Sequence, residues 1–258
     1  MTRPATNNAD VHGEVIDVTS PSARPKVLVV AANPGVNPAL GWPVGFWAAE
    51  LFHPYHEFTR KRYDVTIASP EGGELRLDAM SDPRDESRWS ADDILSMGAL
   101  NTPDIAALLT DTPALRDLDV NAFDALVVIG GEGPMFQFRD HEDVKAAVAH
   151  FFEAERPTAA LCHGVAALID VKLSDGSYLV EGRTVTGFAN VEEDFSDAAV
   201  GATVMPYRVE DALRERGANY IQAGLFKAFA VRDHNLITGQ QQYSSEKVAK
   251  LVIEALGD

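Results

Sequence analysis

Cys162 is the single cysteine of the 258-residue chain, set in "RPTAALCHGVAAL" (156–168) between an apolar run and a Gly-containing step. His163 follows it directly, and Gly164 follows His163. A strand that turns sharply into a helix can hold a nucleophile at the turn, provided small residues stand two before and two after, where backbone passes close to backbone. Those positions are Ala160 and Gly164. The turn also sets Cys162 at a helix N-terminus, whose positive end favours the thiolate. The thiol is therefore expected to ionise well below its ordinary value of about 8.5. The plainer alternative is a small core hydrophobe, the common fate of a free cysteine. The His163 ring can fold back toward the thiol as a base if a third group orients it. "NVEED" (190–194) offers Glu192, Glu193 and Asp194 for that task.

"VVIGGEG" (127–133) supplies a second loop. Gly130 and Gly131 after a strand let backbone N–H groups point into a site. The N–H groups of Gly131 and His163 would form an oxyanion hole, with Glu132 next to them. Glu50 lies inside the apolar stretch "FWAAELF". Few carboxyls sit in such a run without a task. We expect Glu50 to be buried, protonated at neutral pH and hydrogen-bonded to the Cys162 sulfur, because burial and a neighbouring thiolate both favour the neutral acid. "HPYH" places His53 and His56 at helical spacing beside Glu57. No third ligand accompanies them, and no metal is expected.

These residues need elements to hold them. "KVLVVAA" (26–32) is a continuous apolar, β-branched run, as in a strand buried on both faces of a parallel sheet. "GFWAAELFHPYHEFTRKR" (45–62) follows as a largely buried helix that Pro54 must kink or divide. "YDVTIAS" (63–69) closes a βαβ unit. Strands are also expected in "FDALVVIGG", "PTAALCH", "RTVTGFAN" and "NLITG". Helices are expected over 143–156, from 164, over 209–217 and at the C-terminus, the last capped by Ser244 or Ser245.

The alternation predicts an α/β fold: a doubly wound, mostly parallel sheet flanked by helices, a flavodoxin-like three-layer sandwich. The site then lies beyond the carboxyl ends of the strands, in loops 33–50, 130–136 and 162–165. Residues 70–122 are irregular and read as a lid-like insertion within one domain spanning 25–258. Residues 1–24 are polar and read as a flexible tail.

At 46% hydrophobic residues the chain can bury a full core. A formal net charge of −17 argues against a nucleic-acid partner. The absence of an 18-residue apolar run argues against a membrane span. One cysteine and no leader-like apolar segment suit a reducing, cytoplasmic setting.

Jointly, "GFWAAELFHPYHEF", "VTIASPEGG", "VVIGGEGPMFQF", "AALCHGVAAL", "VTGFANVEE" and "LITGQQ" resemble the ThiJ/PfpI superfamily, of the class I glutamine-amidotransferase-like fold. They look most like its heat-shock chaperone and glyoxalase III branch, over about residues 26–257. The resemblance implies Cys162 as nucleophile, His163 as its neighbouring base and Glu50 as the glutamate beside the thiol. It implies Glu193 as the acidic third member, with Glu192 as runner-up. It also implies a cofactor-free homodimer acting on small α-oxoaldehydes or their adducts to give a 2-hydroxy acid. Two positions depart from the branch. Glu132 stands where a histidine is usual, and Val165 where a proline is usual. Glu132 would bring negative charge near the thiol and point to a different substrate. A holding chaperone without essential catalysis, or a Cys amidase or protease, are the alternatives. The glutaminase arrangement is disfavoured, since the one histidine after His163 is His234, with no glutamate two residues on.

Overall fold

The structure is a computed structural model that describes residues 24–257. The tail expected over 1–24 lies outside the described residues except for Arg24, which pairs with Asp64 at 3.7 Å.

Ten strands are described: β1 (Lys26–Val30), β2 (Gly35–Val36), β3 (Pro43–Val44), β4 (Asp64–Ala68), β5 (Ala125–Val128), β6 (Thr158–Leu161), β7 (Thr184–Val185), β8 (Asn219–Tyr220), β9 (Ala230–Asp233) and β10 (Leu236–Gly239). Six form the main sheet, in the order β4-β1-β5-β6-β10-β9. All pairings in it are parallel except β10 with β9. The short pairs β2–β3 and β7–β8 lie outside it.

The apolar runs explain the central strands. Val27 and Val29 of β1 face one hydrophobic cluster, with the Ala48–Arg60 and Ser245–Ala255 helices. Leu28 and Val30 face the other, with the Glu142–Glu153 helix. A strand packed on both faces needs apolar residues at every position rather than alternate ones. Each large side chain fully buried there contributes roughly 1.5–3 kcal/mol.

Three local readings are corrected, and one helix is added. Pro54 neither divides nor ends its helix, which runs unbroken from Ala48 to Arg60. Proline cannot donate to the Glu50 carbonyl one turn back, and the burial of Leu51, Phe52 and Phe58 holds the helix across that gap. The segment after Cys162 is a 3-10 helix, Cys162–Leu168. "NVEED" opens a helix, Asn190–Val200, ended by Gly201 in the left-handed region. Ser244 holds the N-cap position of the last helix without capping it. Its Oγ accepts from the N–H groups of Phe229 and Gln241 instead.

Candidate active site

The carboxyl ends of β1, β5 and β6 converge on Cys162. Its φ is 55°, in the left-handed region that side chains rarely adopt. That strain turns the chain from β6 into the 3-10 helix. Gly164 makes the crossing possible, since a Cβ there would lie 2.8 Å from the Val128 carbonyl oxygen. The thiol is 3% exposed, yet it borders an open cleft.

Glu50 comes in from the first turn of the Ala48–Arg60 helix and is fully buried. Its Oε2 accepts from the Gly130 N–H at 2.9 Å. Its carboxyl group interacts with the Cys162 thiol, while Oε1 has no nitrogen or oxygen partner. The fit is tight: a Cβ on Gly130 would fall 2.6 Å from Glu50 Oε2 and 2.7 Å from Cys162 Cβ. Burial pushes the Glu50 pKa up to about 8, so at neutral pH it holds its proton as expected.

Cys162 overturns the expectation of a low pKa. Burial, followed by the Glu50 charge, holds the thiol well above its ordinary range. The N–H groups of His163 and Gly131 do point at the sulfur and pull the other way. A seven-residue 3-10 helix and two N–H donors do not offset the lost solvation. These are the two groups expected to form the oxyanion hole, and both face the reacting position.

His163 Nε2 lies 2.9 Å from Glu193 Oε1, and both side chains are buried. The imidazole packs on Phe188, with ring centroids 4.3 Å apart. Burial alone would lower the His163 pKa, but the Glu193 charge and hydrogen bond outweigh it, and the net shift is upward. Of the two, Glu193 is the carboxylate that contacts the imidazole. Glu192 Oε1 accepts from Gln240 Nε2 and the Phe226 N–H, and Oε2 from the Ala189 N–H. It braces the helix start from behind. Asp194 turns outward to Arg208 at 2.8 Å.

Glu132 lies at the cleft floor, and its Oε2 accepts from Trp42 Nε1 at 2.8 Å. Burial, and next the charge of Asp78, raise its pKa to about 7. His53, read above with His56, bonds to Asp93 at 2.9 Å. Among the described residues no cluster of three or more His, Cys, Asp or Glu is placed to hold a metal.

Sequence reasoning missed Asp78. Its Oδ1 accepts from the Gly45 N–H at 2.6 Å and its Oδ2 from the Glu132 N–H at 2.7 Å. It ties the Gly130–Glu132 turn to the loop before the Glu50 helix. Only glycine fits at 131, where φ is 108° and a Cβ would lie 2.6 Å from both Asp78 Oδ2 and the Trp47 nitrogen. Burial raises the Asp78 pKa to about 6. A lone aspartate in "LRLDAMSD", inside an irregular segment, carries no local signal of this role.

The cleft, with its open mouth included, spans about 750 Å³ and is lined mainly by apolar side chains. All three loops predicted to form it contribute, through Trp42 and Trp47, Gly131 and Glu132, and Cys162 and His163. The irregular 70–122 segment adds Met80 and Trp89.

The chain is similar in sequence and fold to known proteins. The Rapid Encystment Protein 24 kDa of Francisella tularensis is 29% identical to this chain, with a TM-score of 0.82, over 91% of this chain and 100% of that one. Glyoxalase 3 of Candida albicans is 27% identical over 228 residues, 83% of this chain and 91% of the relative. The Saccharomyces cerevisiae protein named glutathione-independent glyoxalase HSP31 is 25% identical over 231 residues, 84% of this chain and 91% of that relative. The model of one family, the DJ-1/PfpI family, matches residues 43–255, a span that includes Glu50, Asp78, Glu132, Cys162, His163 and Glu193. A mostly parallel sheet, a strained cysteine at the end of β6 and a family match over most of the chain lead to one assignment: this chain belongs to the DJ-1/PfpI family.

Proposed function

We propose that the protein is a cysteine-dependent enzyme that converts small α-oxoaldehydes to 2-hydroxy acids without a cofactor. The observation that carries this reading is one cleft lined by Cys162, whose thiol contacts the buried Glu50, and by the His163–Glu193 pair. The names of the Candida and Saccharomyces relatives support it.

The chemistry follows from the protons. At neutral pH the Cys162–Glu50 pair holds two, and it reacts after losing one. Sγ then bonds to the aldehyde carbon C1, and the pair's remaining proton ends on the aldehyde oxygen by way of His163. The N–H groups of Gly131 and His163 steady the developing oxyanion. Glu50, now a carboxylate, takes the C1 proton and returns it to C2, while the hydroxyl proton moves to the C2 oxygen. The product is a 2-hydroxyacyl thioester. Water breaks its C–S bond, giving the 2-hydroxy acid and the free thiol. The sum is one oxoaldehyde plus one water, with no external oxidant or reductant.

The test is incubation with methylglyoxal, following lactate. Wild type should form it, and a Cys162→Ser variant with an unchanged circular-dichroism spectrum should not. Lactate formation by the serine variant at the wild-type rate would sink the reading.

A second reading, a holding chaperone, is favoured by one observation: Trp89, Ile94 and Phe195 are exposed. It predicts suppression of aggregation of a heated client by wild type and Cys162→Ser alike.

A further inference from the structure

The cleft extends from Cys162 to an open mouth, and its walls and floor differ in chemistry. Four aromatic rings run in series from the mouth to the imidazole. Trp89 lies 6.5 Å from Phe195, Phe195 packs edge-on to Phe226 at 5.3 Å, Phe226 lies 6.4 Å from Phe188, and Phe188 packs on His163. Trp89 and Phe195 are 45% and 41% exposed, so the series opens to solvent. The floor carries the carboxyls of Glu132 and Glu193, with Asp78 directly behind Gly131. Among the described residues no lysine or arginine lines the cleft, and the one basic side chain there, His163, is already paired with Glu193.

We propose that the cleft selects carbonyl compounds that carry an aromatic or similarly extended apolar substituent and no negative charge, with Glu132 as the residue that turns anions away. This rests on the proposed oxoaldehyde reading for the reacting head, and it adds the substituent. With C1 at Cys162, the substituent lies along Phe188, Phe226 and Phe195. An aryl group gains ring contacts there, about three- to tenfold in affinity for each well-placed pair. A methyl group leaves those rings in water. A carboxylate entering the same space would lose its hydration with no cation to replace it, and would approach Glu132. The Trp42 bond keeps the Glu132 carboxyl at the floor rather than folded away. A protonated amine or guanidinium on the substituent meets the opposite sign and is accepted.

The test reads binding, so it is separable from turnover. Benzamide, benzylammonium, benzoate and acetamide are titrated into the wild-type protein by calorimetry at pH 8. Benzamide and benzylammonium should bind at least about tenfold more tightly than benzoate, and acetamide should bind more weakly than benzamide by a similar factor. Glu132→Gln should narrow the benzamide–benzoate gap to about threefold or less. Phe195→Ala, at a partly exposed position, should weaken benzamide by about three- to tenfold and leave its ratio to benzoate unchanged. Benzoate binding as tightly as benzamide, or acetamide matching it, overturns the proposal without use of any variant. Absence of lactate from methylglyoxal with this binding order intact sinks the oxoaldehyde chemistry alone.

Discussion

Replacing Glu50 by glutamine tests the buried proton directly. Glutamine keeps the volume and offers an oxygen to the Gly130 N–H, so the fold should persist. The wild-type carboxyl titrates at about 8 when folded and near 4.5 when unfolded. A folded pKa raised in this way adds stability that is full below 4.5 and is lost as pH rises toward 8. Between pH 5.5 and pH 8 the unfolded chain has already released this proton, while the folded chain largely keeps it until the top of the range. With about 1.4 kcal/mol per tenfold change, the wild type should lose on the order of 3 kcal/mol relative to Glu50→Gln across that interval. Urea unfolding of both proteins at the two pH values measures it, and the difference of differences removes every group they share. Parallel loss in both proteins would show that Glu50 is not held neutral by burial. Turnover should fall by roughly 10²–10⁴-fold in the same variant if the carboxyl moves the C1 proton. Unchanged kinetics would remove it from the chemistry.

Alkylation of Cys162 by iodoacetamide should be slow at pH 7, because burial holds the thiol high; fast alkylation at pH 7 with an inflection below pH 8 would contradict the site as built. The kcat/KM for the oxoaldehyde should rise with pH to a shoulder near 8, where the pair loses its first proton, and a profile flat from pH 6 to 9 would refute the order of steps. Gly187→Ala should cost about 1–3 kcal/mol, since its Cβ would lie 2.5 Å from Val165 Cγ2, and Val165→Ala in the same chain should recover part of that. We also propose, on the family resemblance, that the chain is a homodimer; light scattering should give twice the 27.9 kDa of one chain, and a monomer mass across a concentration range would refute it.

Some of this was present in the order of residues, and some was not. "KVLVVAA", "ALVV" and "TAAL" became β1, β5 and β6 because an unbroken apolar run can be satisfied only between two packed faces, and that is a local property. The elbow was legible for the same reason: a strand, a cysteine and a glycine two residues on permit few backbone paths. Glu50 stood out as a charge in an apolar stretch, and the structure buries it there. The antiparallel edge strand β9, "AVRD", escaped notice because half-buried positions leave only a faint alternation.

Three features depended on segments far apart in sequence. Glu193, rather than Glu192, reaches His163 because residues one apart on a helix point about 100° apart, and only the seating of the helix decides which faces inward. Asp78 joins Gly45 to Glu132 across 33 and 54 residues, so its neighbours in the chain say nothing of its task. The Cys162 pKa went opposite to expectation because a helix start is a short-range feature of sequence, whereas desolvation is set by everything that closes around the sulfur. Sequence named all of these groups but Asp78; the packing decided where their protons rest, since solvation and charge depend on distance through space and not along the chain.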